Sequence, residues 1–89
     1  MRVELYRLSA EPLTVEVEAD ATVKQVLSAP GTGSILGDDE HSLLEAAERR
    51  YGGLDQLGTL RVNGAAATLE TRVAEGSTIL IIPKVEGGC

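Results

Sequence analysis

Three stretches of this sequence hold residue types that could do chemistry. Gly87-Gly88-Cys89 follows the apolar run Ile79-Leu80-Ile81-Ile82 and Pro83. Glycines carry no Cβ, so such a backbone can extend through a narrow channel and approach a ligand closely. Their ordering also costs entropy, which suits a segment that stays mobile until bound. A carboxylate on such an arm can attack the α-phosphorus of ATP inside a partner enzyme. The resulting acyl-adenylate is electrophilic enough for a thiol or sulfide. Against this stands plain disorder or, for Cys89, a cloning remnant. The glycines alone favour that plainer account, but their position after a buried last strand favours the chemistry. Gly31-Thr32-Gly33-Ser34 suggests a phosphate loop, but no Lys-Ser/Thr follows its glycines, and a flexible loop is expected. Asp38-Asp39-Glu40-His41 gathers three acids and the single His. Acids of this kind belong in the first turn of a helix, against the positive end of its dipole, and His41 is read as exposed and idle. Cys89 has no neighbouring base, and a floppy terminus cannot preorganise a nucleophile. The chain is not expected to be an enzyme, and no bound cofactor or metal is expected.

Composition narrows the classes further. The 89 residues suit one domain. Apolar residues make up 43%, with two Tyr and neither Phe nor Trp, so the core must be aliphatic. A reader of single-stranded nucleic acid would want aromatic platforms and a basic groove. Instead there are 14 acidic against 8 basic residues, a net charge of -6. That surface is a poor match for nucleic acid or anionic membrane and a better one for a basic patch on a protein. A single Cys makes no internal disulfide, and with one His it makes no Cys/His zinc site. The opening MRVELYRL resembles no signal or transit peptide, and no apolar run reaches membrane-spanning length. A cytoplasmic protein is expected.

The elements that must position these residues follow from periodicity. Arg2 to Leu8 alternates, with Val3, Leu5 and Arg7 on one side. Leu13, Val15 and Val17 alternate with Thr14, Glu16 and Glu18, which together predicts a hairpin turning at Glu11-Pro12. Thr22 or Asp20 caps a helix with Val23, Val26 and Leu27 on one face. Ser28 to Gly37 reads as a loop. A second helix is expected from about Asp39 to Tyr51, with Leu44, Ala47 and Tyr51 on one face, a Glu45–Arg49 pair, and Gly52-Gly53 ending it. Thr59 to Val62 is a strand, Asn63-Gly64 a turn, and Ala66 to Leu69 pairs back. After Glu75-Gly76, Thr78 to Ile82 is apolar at both parities and predicts a central strand covered on both sides. This order, with the last strand parallel beside the first across a helical crossover, is the β-grasp arrangement, an α+β class with one packed helix, an additional helix and a mixed sheet. Residues 1–84 are expected to form this domain and 85–89 a flexible tail.

Val62-Asn63-Gly64, Val73-Ala74-Glu75-Gly76, Ile79 to Pro83 and Gly87-Gly88 resemble the C-terminal half of the ubiquitin-like sulfur carriers. These are the small subunit of molybdopterin synthase and the thiazole-pathway carrier; some bacterial ubiquitin-like modifiers are similar. The likeness covers about a third of the chain in motif detail and the rest by element order. It implies that an ATP-dependent, ubiquitin-activating-type enzyme adenylates the carboxyl of Gly88. The product passes on as a thiocarboxylate to a cofactor synthase, or as a thioester to a conjugating enzyme and target protein. Two departures stand out. Lys84 replaces a second proline, and Cys89 follows Gly88, so the resemblance implies a peptidase that cuts between Gly88 and Cys89. From a different class comes the alternative of a non-catalytic interaction module with no tail chemistry. For an activating enzyme, basic and apolar contacts beside the exposed sheet face are expected, with Arg61 and Lys84 as candidate contacts.

Overall fold

The structure, a computed structural model, describes residues 1–7 and 10–83. β1 (Arg2–Arg7) and β2 (Leu13–Glu16) form the expected hairpin, with Val3 opposite Val15 and Leu5 opposite Leu13. Alternation turns Val3, Leu5 and Val15 inward, and all three are buried. The first strand was expected to reach Leu8, which lies outside the described residues.

α1 (Val23–Leu27) begins with a capping box. Thr22 Oγ1 accepts from the Gln25 N–H, and the Gln25 side chain accepts from the Thr22 N–H. Its buried face is Val23, Val26 and Leu27, as the spacing predicted. Asp20, the other candidate cap, instead takes a positive φ of 65° in the turn before it.

The segment after α1 corrects two expectations. Ser28 to Gly37, read as a loop, is partly helical, and the Gly31 to Ser34 stretch expected to be a flexible loop runs into that helix. Thr32–Leu36 forms a 3₁₀ helix whose Thr32, Gly33, Ile35 and Leu36 are buried. Thr32 Oγ1 lies 2.8 Å from the Ala29 carbonyl and 3.1 Å from that of Leu27, and it accepts from the Leu43 N–H at 2.7 Å. One hydroxyl thus satisfies buried backbone groups on both sides of the segment. Helix α2 is Leu43–Tyr51, four residues shorter at its start than expected. Ser42 is the N-cap, and Glu45 closes a second capping box. Glu45 is therefore committed to the cap, and the expected pair with Arg49 is not among the ion pairs of the described residues. The buried face is Leu43, Ala46 and Ala47; Leu44 is half-buried and Tyr51 exposed, so the face turns one residue away from the expected one.

Gly52, at φ 85°, closes α2 in the left-handed conformation that glycine favours. A short α3 (Leu54–Leu57), with no counterpart in the expected element order, then leads into β3 (Gly58–Val62). Asn63 and Gly64, at φ 50° and 87°, make the two-residue turn into β4 (Ala65–Ala67), which pairs back earlier and ends sooner than Ala66 to Leu69. β5 (Thr78–Pro83) lies parallel to β1 and antiparallel to β3 in the order β2-β1-β5-β3-β4. This mixed sheet carries its helices on one face. Ile79 and Ile81 join the core at 0% and 1% exposure, whereas Leu80 is 37% exposed. Among the described residues, β5 is central but covered on one face, not two.

Candidate functional site

β5 leads straight to the residues that carried the chemical reading. It is held on both edges, with Arg7 opposite Ile81 on one side and Gly58 opposite Pro83 on the other. Pro83 is therefore the last residue of the sheet's middle strand. Lys84, Gly87, Gly88, Cys89 and the whole expected tail 85–89 lie outside the described residues.

Around this end of β5 the sheet presents two different faces. On the open side, alternation aligns Tyr6, Leu80 and Arg61 in one row across β1, β5 and β3. Ile82, half-buried, extends the apolar part of the row toward the end of β5. Arg61, a candidate contact, lies opposite Leu80 and donates to the Gly64 carbonyl at 3.1 Å. Tyr6 donates to Glu4 Oε1 at 2.6 Å; this hydrogen bond and the nearby negative charge hold its phenol above the ordinary range. On the helix side, Arg7 follows Val3 and Leu5 inward. Its guanidinium makes long contacts with the Ile35 carbonyl, 3.5 Å, and the Tyr51 hydroxyl, 3.4 Å. Its Nε is buried without a partner among the described residues. The sequence signal for Arg7 was its inward parity, but parity alone assigned it no partners.

The other two stretches are structural. In Gly31-Thr32-Gly33-Ser34, the amides of Thr32, Gly33 and Ser34 are spent on the carbonyls of Ala29, His41 and Gly31. They are not available to cradle an anion. A Cβ on Gly33 would stand 2.4 Å from the His41 carbonyl oxygen and 2.5 Å from that of Asp38, so only glycine fits there. Asp38 to His41 precedes α2 and is not its first turn. His41 is neither fully exposed nor idle: its Nδ1 lies 2.9 Å from Asp38 Oδ1. That hydrogen bond from the ring holds the Asp38 carboxyl below the usual carboxylate range. Among the described residues no group of three His, Cys, Asp or Glu is arranged to hold a metal ion. No helix among them is long and apolar enough to cross a membrane.

A five-stranded mixed sheet with a parallel β1–β5 pair and a crossover through packed helices defines the ubiquitin-like β-grasp fold. The chain's structural neighbours are crystal structures of small archaeal modifier proteins. SAMP1 from Haloferax volcanii superposes with a TM-score of 0.70 at 26% identity, covering 99% of this chain and 100% of that one. A second structure, H. volcanii small archaeal modifier protein 1, gives a TM-score of 0.66 at 25% identity, covering 94% and 98%. No family model and no curated protein sequence matches the chain.

Proposed function

We propose that this protein is a ubiquitin-like carrier whose working group is the carboxyl of Gly88, released when a peptidase removes Cys89. The observation that carries this reading is the pairing of β5 between β1 and β3, which fastens the root of the Gly-Gly segment to the most protected strand. The likeness to proteins named as modifiers supports a carrier role. In the reaction, a Gly88 carboxylate oxygen attacks the α-phosphorus of ATP in a partner activating enzyme and displaces pyrophosphate. Sulfide then attacks the acyl-adenylate carbonyl, expelling AMP and leaving a thiocarboxylate. Alternatively, an enzyme thiolate attacks, expelling AMP and giving a thioester for conjugation to a target amine. The row of Tyr6, Leu80 and Arg61 on the open sheet face is the surface the activating enzyme would grip, and salt would slow that association.

The test is pyrophosphate exchange with an activating enzyme from the same genome, followed by intact mass after addition of ATP and sulfide or target protein. The chain ending at Gly88 should be activated, and the chain ending at Cys89 should not, because its Gly88 carbonyl is locked in a peptide bond. Gly88→Trp in the trimmed chain should block activation, since a side chain cannot follow the backbone through a tight channel. Replacement of one oxygen by sulfur identifies the carrier branch, and a covalent adduct through Gly88 identifies the modifier branch. Equal activation of both chains would sink the processing step. Full cellular function of the Gly88→Trp protein would point to an interaction module without tail chemistry.

A further inference from the structure

On the helix side of the sheet, away from the Leu80 row, two adjoining hollows of about 340 and 480 Å³ share Leu54, Asp55 and Leu69 as walls. Together they make one groove running from α2 over α3 to the turn after β4. Its floor includes Leu44, Leu54 and Leu69, which are half-buried and pack on the core. Its rim is Glu48, Asp55 and Glu70, all exposed. Among the described residues, no Lys, Arg or His lines either hollow. None of the ion pairs among the described residues involves these three carboxylates. The nearby basic side chain of Arg50 is drawn away to the Gly37 carbonyl, at 3.2 Å. Lys24 approaches through its backbone, its N–H donating to the Leu69 carbonyl at 2.9 Å.

We propose that this groove docks a basic, amphipathic segment of a partner protein, with aliphatic side chains on the leucine floor and Lys or Arg against the rim. The argument is charge complementarity over an apolar surface. Three carboxylates without an ion-pair partner among the described residues, set around a concave, low-dielectric floor, focus negative potential into it. Cations relieve that potential, and aliphatic groups displace water from the leucines. The same potential repels phosphate, which excludes nucleic acid and anionic lipid. It also disfavours a second copy of this chain, because a symmetric contact would set the acidic rim against itself at a net charge of -6 per copy. The groove is independent of the tail chemistry. Its wall residue Gly58 is nonetheless paired with Pro83, so an occupant would be held one strand from the end of β5.

The probe is a fluorescein-labelled synthetic helix with leucines at i, i+4 spacing and lysines elsewhere, titrated into the full 89-residue chain. Binding should be saturable, with amide shifts centred on Leu44, Glu48, Leu54, Asp55 and Leu69. The triple change E48K/D55K/E70K should weaken it by about tenfold or more, whereas the charge-matched triple E11K/E18K/E75K should not. Asp55→Lys alone, at an exposed position, serves if the triple variant loses its fold, and should weaken binding in the same direction. A peptide of equal charge with glutamine in place of leucine should bind at least about tenfold more weakly. Equal binding of the glutamine peptide, equal loss in the two triple variants, or shifts centred on the Leu80 row would each overturn the proposal.

Discussion

β5 and the segment from Ala29 to Ser42 divide their residues between core and water in opposite ways. β5 is built from strongly apolar residues, yet Ile79 and Ile81 are buried while Leu80 stands 37% exposed on a sheet face that no helix among the described residues covers. The 29–42 segment is rich in Gly, Ser and Thr, yet Thr32 is 1% exposed, and Gly33 is packed against two carbonyl oxygens. Hydropathy therefore ranks neither region correctly. In β5 burial depends on parity and on which face receives the helices. In the other segment it depends on backbone groups that must be satisfied once the chain crosses the core.

The largest contrast lies within β5. Ile79→Ala should cost about 2–5 kcal/mol by lost burial and a residual cavity. Leu80→Ala, 37% exposed on the open face, should cost less, about 1 kcal/mol. Urea denaturation of the two variants measures both, and equal losses would mean that the open face is covered after all. A smaller effect probes the polar segment. Thr32→Val keeps the volume but removes the acceptor of the buried Leu43 N–H and should cost about 1–3 kcal/mol. A neutral result would show that Thr32 fills space without organising the junction with α2. The smallest effect concerns the local contact between Asp38 and His41 within this segment. The folded Asp38 pKa is lowered by His41, so its contribution is present above the ordinary carboxylate pKa of 3.8 and is lost as pH falls through the folded value. His41→Ala should move the Asp38 titration back toward the ordinary range, as read from the carboxyl carbon shift against pH. An unmoved titration would assign the shift to other neighbours.

Much of the architecture was legible because local rules and the fold agree. Period-two alternation marked the hairpin, Thr22 was one of the two candidate caps of α1, and Asn63-Gly64 marked the turn from β3 into β4. The start of α2 was misread because acids at Asp38 to Glu40 imitate a first turn, while the capping box three residues later, Ser42 with Glu45, is the stronger start signal. At the candidate site, the middle position of β5 was readable from its apolar run, but Arg7 and its contacts with Ile35 and Tyr51 join residues far apart in the chain.

By itself, the sequence determined the period of the hairpin strands and the Asn63-Gly64 turn, which depend on neighbours a few positions away, and the aliphatic core and acidic balance, which depend on composition alone. Only the tertiary structure decided which face of β5 stays open, that Thr32 and Gly33 are interior, and that Leu44, Leu54 and Leu69 share one acid-rimmed groove. Those outcomes depend on which elements pack together, and helices on one face of the sheet leave side chains of the same kind with opposite fates.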